Sequence, residues 1–230
     1  MNGEVRTVFI VDDAREVRAA LSRVLTIAGY QVFSFESAER FLEEQDAKAP
    51  GCLLLDICLP GLSGIDLQHS LVGSPCVRPI VFLTGRGDIQ TSVHAMKEGA
   101  VDFLTKPIDN LRLFAAVEEA LRRDAEQRLK GAIRSMIRHR LETLTPRERQ
   151  VMAHVIRGRL NKQIAAELGT GEKTVKVHRA RMMAKMVARS VAELVQLGAR
   201  VGVEIEPALS VGTAVLNWKQ AQCPISNRLE

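Results

Sequence analysis

The chain has 230 residues, of which 46% are hydrophobic and 26% charged, and its formal net charge is +5. Those are globular proportions, not disordered or membrane ones, and the length suits one large domain or two ordinary ones. No apolar run approaches the roughly 18 residues of a membrane span, and Met1 to Val11 lacks the basic-then-apolar pattern of a secretory signal. Cys52, Cys58, Cys76 and Cys223 have no metal-site spacing, so a reducing cytoplasm and no disulfide are expected. The charge is polarised along the chain: Met1 to Leu121 carries 11 basic residues against 17 acidic ones, and Lys130 to Arg200 carries 16 against 5. Two domains with different partners are expected, the basic one a candidate for contact with a phosphate backbone.

In chain order, Thr7 to Val11 is a β-branched apolar run that stops at Asp12-Asp13, and Val17 to Ala28 has helical periodicity ending at Gly29. Gln31 to Phe35 reads as a strand and Ala38 to Glu44 as a short helix. Cys52 to Leu55 is a buried-strand run stopping at Asp56, followed by a helix from Ile65 to Leu71. Pro79 to Leu83 is a fourth strand stopping at Thr84, followed by a helix from Ile89 to Lys97. Val101 to Leu104 is a fifth strand ahead of Lys106-Pro107, and Ile108 to Arg123 is helical. Strands apolar on both faces that alternate with helices predict a doubly wound α/β domain with a five-stranded parallel sheet. Residues 124–143 read as a helical linker whose Leu129, Ile133, Met136, Ile137 and Leu141 fit either a short coiled coil between two protomers or a helix resting on one domain.

Thr145, Pro146 and Glu148 form a capping-box start for a helix to about Arg157. A short helix from Lys162 to Leu168, capped by Asn161, is separated by Gly169-Thr170-Gly171 from a third helix running to Met186. Ser190 caps a fourth, from Val191 to about Val201. Two helices joined by a short glycine turn in a basic all-helical domain form a helix-turn-helix pattern. The domains expected are therefore 1–123, the linker 124–143, the helical domain 144–202, and a tail 203–230 with no assigned role.

In a doubly wound sheet the functional site lies at the carboxyl ends of the strands. Asp12, Asp13, Asp56, Thr84 and Lys106 all sit there. Clustered carboxylates repel one another unless a cation joins them, and a hard divalent ion such as Mg²⁺ suits oxygen ligands beside a phosphate. The chemistry this set allows is phosphoryl transfer to a carboxylate, with the metal and Lys106 balancing the charge on the phosphoryl oxygens. No nucleotide-binding glycine loop is present, which argues against ATP as the direct donor.

The segments VDD (11–13), LLLDICLPGLSGIDL (53–67), FLTGRGD (82–88) and GAVDFLTKPID (99–109) closely resemble the receiver domain of two-component response regulators, the CheY-like fold. The resemblance implies Asp56 as the phosphoacceptor. It implies Asp13, Asp56 and the backbone carbonyl of Cys58 as Mg²⁺ ligands, with Asp12 acting through water. Thr84 and Lys106 would bind the phosphoryl oxygens, Phe103 would be the rotating aromatic switch residue, and Lys106–Pro107 would be cis. Cys58 and Arg86 stand at positions that tune dephosphorylation in that family, and slow autodephosphorylation is expected.

Residues 144–186 resemble a LuxR-type helix-turn-helix of the NarL/FixJ group, most specifically NKQIAAELG (161–169) and EKTVKVHRARMMAKM (172–186). The resemblance implies Lys176 and Val177 as base contacts, with Lys173, Arg179, Arg181 and Lys185 on the same helix and Lys162, Arg159 and Thr174 toward the backbone. It implies dimerisation through Ile89, Val93 and Val101 in one domain and Val191 and Leu194 in the other. The function expected is a cytoplasmic, phosphorylation-dependent transcriptional regulator that is not an enzyme beyond its own phosphotransfer. Its partners would be a sensor histidine kinase, double-stranded promoter DNA, a second copy and RNA polymerase, with no membrane. Two other classes are set against it: an interaction protein acting without specific DNA, which the basic helix 172–186 argues against, and a haloacid-type hydrolase, which would need a DxD-like motif and a capping insert that the sequence lacks.

Overall fold

A computed structural model describes residues 6–46, 49–71, 78–85 and 96–202. The chain divides into two compact units, Met1–Leu129 and Lys130–Glu230. The first unit holds β1 (Thr7–Val11), α1 (Arg15–Ile27), β2 (Gln31–Phe35), α2 (Ala38–Glu44), β3 (Cys52–Asp56), α3 (Gly64–Leu71), β4 (Ile80–Thr84) and β5 (Asp102–Thr105). The strands form one parallel sheet in the order β2-β1-β3-β4-β5. Every residue of β1, β3 and β4 is buried, as expected of central strands covered by helices on both faces. β2 departs from the expectation of strands apolar on both faces: Gln31, Phe33 and Ser34 are exposed, because β2 is an edge strand with a neighbour on one side only.

The apolar residues of the first unit form two clusters, one on each side of the sheet. Val8, Ile10, Leu54, Val81 and Leu83 meet Leu21 and Leu25 of α1 and Leu113 and Val117 of the next helix. Phe9, Val11, Leu53, Leu55 and Phe82, whose side chains alternate with those, meet Phe41 of α2 and Leu67 of α3.

That next helix, α4, is a single element from Asn110 to Glu142. It serves both units. Leu113, Ala116, Val117 and Ala120 fill the first core, and Ile137 and Leu141 are buried in the second. Between them, Asp124 is 5% exposed, accepts a hydrogen bond from Gly51 N at 3.0 Å and pairs with Arg128 Nε at 2.8 Å. Arg128 Nη2 in turn donates to Ala49 O at 2.6 Å. Gly51 is required there: its φ is +147°, and a Cβ would stand 2.5 Å from Thr7 O. Of the residues considered for a coiled coil, Ile137 and Leu141 are spent on the helical domain's core, while Leu129 and Met136 are exposed.

The second unit adds α5 (Pro146–Ile156), α6 (Asn161–Glu167), α7 (Glu172–Met186) and α8 (Val191–Arg200). The capping box is present: Glu148 N donates to Thr145 Oγ1 and Thr145 N to Glu148 Oε2 at 3.0 Å. Ser190 Oγ accepts from Glu193 N at 3.1 Å at the head of α8. Asn161 is not the cap of α6. It is the first helical residue, and Gln163 Oε1 accepts from Leu160 N at 2.8 Å instead. The core gathers Val151, Val155, Ile164, Val175, Met182, Met186 and Leu194.

Candidate functional site

Strand register builds the first site. Val11 pairs with Leu55, which puts Asp12 beside Asp56 one residue on. Asp56 pairs with Leu83, and Leu83 with Leu104, so Thr84 and Lys106 end level with the carboxylates. Lys106 N donates to Thr84 O at 2.7 Å and Ile57 N to Leu83 O at 3.1 Å, which ties the three strand ends together. The Lys106–Pro107 bond is cis.

Lys106 Nζ donates to Asp12 Oδ2 at 2.6 Å and to Asp56 Oδ2 at 2.7 Å. Burial works to lower the Lys106 ammonium, but the hydrogen bonds to Asp12 and Asp56 and their charges outweigh it, so its pKa lies above the ordinary lysine value. Asp56 Oδ1 accepts from Cys58 N at 3.2 Å, and Asp12 Oδ1 from Ala14 N at 3.0 Å. Asp12, Asp56 and Thr84 are buried, whereas Asp13 and Cys58 face outward. Phe103 is half-buried beside Phe82, ring centroids 6.4 Å apart.

Carboxylate oxygens of Asp12, Asp13 and Asp56 lie within 4.8 Å of one another. Two oxygens bound to one Mg²⁺ at about 2.1 Å stand at most about 4.2 Å apart, so a slight closing or one bridging water seats the ion. All the donors are hard oxygens and the Asp13 side is open, which suits an ion that keeps waters and meets a phosphate.

Two residues that shape this pocket escaped the sequence reading. Arg18 Nη1 holds the backbone carbonyls of Asp12 and Asp13 at 2.7 and 2.9 Å. Gly64 brings the head of α3 onto Asp56: a Cβ there would be 2.2 Å from Asp56 O. Nothing in the sequence marks Arg18, because it acts on main-chain atoms; the signal for Gly64 was the PGLSG run before a helix.

On α7, Val175, Met182 and Met186 are buried and Lys173, Thr174, Lys176, Val177 and Arg181 are exposed. Among the described residues, Lys173 and Arg181, like Lys162 on α6, make no hydrogen bond or ion pair, while Lys176 pairs with Glu172 at 3.3 Å. Lys185 departs from the expected DNA contact: its Nζ bonds Glu148 Oε2 at 2.7 Å and Thr143 O at 2.9 Å, inside the domain. Arg179 Nη1 donates to Asn161 Oδ1 at 3.0 Å, and Arg159 pairs with Glu167 at 3.7 Å.

The expected dimer residues fare unevenly. Leu194 is 0% exposed in the helical core and Val101 is 7% exposed in the first unit's core, so both pack inward. Val191 is half-buried beside an outward face of α8 that carries Ala192, Gln196 and Ala199. Ile89, Val93 and Arg86 lie outside the described residues, as does the tail 203–230.

Residues 8–118 match the response regulator receiver domain, and residues 142–197 match the bacterial regulatory proteins of the luxR family. The chain is 43% identical over 196 residues to nodulation protein W of Bradyrhizobium diazoefficiens, covering 85% of this chain and 86% of that one. It is 40% identical over 206 residues to response regulator protein TodT of Pseudomonas putida, covering 90% and 91%. It is 40% identical over 196 residues to transcriptional regulatory protein FixJ of B. diazoefficiens, covering 85% and 96%. Among solved structures, response regulator StyR superposes with a TM-score of 0.76 at 45% identity, covering 86% of this chain and all of that one. Full-length FixJ from B. japonicum gives 0.53 at 39% identity, covering 85% and 96%. A parallel sheet with an acidic pocket at its carboxyl edge, joined to a basic helix-turn-helix, defines a phosphorylation-dependent regulator of transcription. The chain belongs to the FixJ-like response regulators, with a receiver domain followed by a LuxR-type DNA-binding domain.

Proposed function

We propose that Asp56 accepts a phosphoryl group from a sensor histidine kinase and that this modification governs promoter binding through α7. The observation that carries the proposal is the meeting of Asp12, Asp13 and Asp56 at one strand edge with Lys106 Nζ 2.7 Å from Asp56. An Asp56 carboxylate oxygen attacks phosphorus, the donor histidine's P–N bond breaks, and the imidazole leaves to take a proton. Lys106 is placed to follow the charge from the carboxylate to the phosphoryl oxygens, and the Thr84 hydroxyl to take another of them. Asp13, Asp56 and the Cys58 carbonyl would hold Mg²⁺, with Asp12 through water; when bound, the ion neutralises charge on the phosphoryl oxygens. Phe103, half-buried against the edge of the sheet, is the residue whose packing would change with the Thr84 position.

The DNA-reading face consists of Lys173, Lys176 and Val177 on α7, with Arg181, Thr174 and Lys162 toward the phosphates. Two copies would bind a two-fold site with half-sites about one helical turn apart, pairing through the Ala192, Gln196 and Ala199 face. At a promoter, the partner acted upon is RNA polymerase.

The assignment is tested by incubating the purified chain with acetyl phosphate and Mg²⁺ and mapping the modification by peptide mass. One phosphoryl group on the peptide carrying Asp56, not formed when chelator is present from the start and absent from Asp56→Asn, is the expected result. A group on Asp12 or Asp13 would overturn it.

A further inference from the structure

Among the cations of α7, Arg179 stands on the wrong side of the helix for reading DNA. At 3.6 residues per turn, Arg179 lies on the edge of the buried stripe, roughly 20° from buried Met186 and 40° from buried Val175, and roughly 140° from exposed Ala184. Lys173, Val177 and Ala180 surround Ala184 on the outward face, flanked by Lys176 and Arg181. Arg179 is instead half-buried, and its Nη1 donates to Asn161 Oδ1 at 3.0 Å. Asn161 is the first residue of α6, and α6 packs on α7 through Ile164, Ala165 and Val175.

We infer that Arg179 is a positioning residue: its hydrogen bond to Asn161 fixes the angle of α7 against α6, so that the outward residues of α7 meet the base edges when the helix lies in the groove. A guanidinium suits this task. It is planar and always charged, and it gives a directed hydrogen bond across two helices that apolar packing alone leaves free to slide. The bond fixes an angle and adds no contact to DNA. This inference rests on the DNA-binding reading of α7.

The experiment uses the full chain with Mg²⁺ and acetyl phosphate and two probes: duplexes that the unaltered chain enriches from a randomised pool, and a shuffled duplex of the same length. Arg179→Ala, Asn161→Ala and the double variant are compared by titration across a salt series, with Arg181→Ala as reference. Each single variant is expected to weaken binding to the enriched duplex by about tenfold, the double variant by no more than either, with the salt slope and the shuffled-duplex affinity unchanged. Arg181→Ala should flatten the slope by about one, the signature of a lost phosphate contact. Asn161→Ala leaves the Arg179 charge in place, so it carries the test by itself if Arg179→Ala does not fold. A slope flattened by about one in Arg179→Ala, losses that multiply in the double variant, or equal loss on both duplexes would each overturn the positioning role. An unaltered chain that enriches no duplex and binds none in a salt-dependent way would instead remove the DNA-binding reading itself.

Discussion

Lys106 sits between two carboxylates that would otherwise face each other across a buried gap, Asp12 Oδ2 at 2.6 Å and Asp56 Oδ2 at 2.7 Å. Removing the ammonium leaves like charges close together with little water between them. Lys106→Met should therefore cost the receiver about 1–3 kcal/mol in the presence of chelator, and Mg²⁺ should restore part of it because the ion takes over the role of counter-charge. Urea melts with and without Mg²⁺ check this; equal stability in chelator would count against the ion pair. A second residue works against its own backbone. Val187 ends α7 at φ 55°, ψ 40°, a left-handed position that β-branched side chains resist. It is exposed, so Val187→Gly loses little burial, and should stabilise the helical domain by about 1 kcal/mol as a rise in denaturation midpoint. At this scale the sequence announced the pocket: strands stop at Asp12, Asp56 and Thr84, and the run of apolar residues marks where each stop must fall. It did not announce Arg18 or the Asn161 partner. Arg18 binds carbonyls, which have no sequence signature, and an Asn at the head of a helix looks the same whether it caps that helix or accepts from another.

The elements show where pattern suffices and where packing decides. Strand and helix order was legible because apolar runs of five residues alternate with helical periodicity. The edge character of β2 was not, since Gln31 and Ser34 become exposed only through the strand order. Residues 124–143 were legible as a helical linker, and α4 is continuous; the division of its apolar residues between two cores was not legible, because helical spacing alone does not say which neighbour a stripe meets. In the helical domain, Glu148 links α5 to α7. Its side chain is 4% exposed and takes Lys185 Nζ at 2.7 Å and Thr145 N at 3.0 Å. Burial pushes the Glu148 carboxyl up, but the bonds from Lys185 and Thr145 outweigh it and hold it below its ordinary 4.5. A lowered folded pKa means that this contribution is complete above the ordinary value and disappears as pH falls through the lowered one. Glu148→Ala should cost about 2–4 kcal/mol at pH 7, and the gap from the unaltered chain should shrink below pH 4.5, measured by thermal melts of the full chain. A gap that stays constant into acid would contradict the ion pair.

For the whole molecule, the charge division read from the sequence corresponds to a division of labour. On the proposed function, the acidic half would hold a cation and a phosphoryl group, and the basic half would meet a polyanion. Phosphorylation need shift the balance between two states of the chain by only a few kcal/mol to change promoter occupancy by orders of magnitude. The most direct measurement is the affinity of the full chain for its enriched duplex, with and without acetyl phosphate and Mg²⁺, in the unaltered protein and in Asp56→Asn. The account predicts that the phosphodonor tightens binding at least tenfold, about 1.4 kcal/mol, in the unaltered chain and leaves Asp56→Asn unchanged. A phosphodonor that tightens binding equally in Asp56→Asn would contradict it.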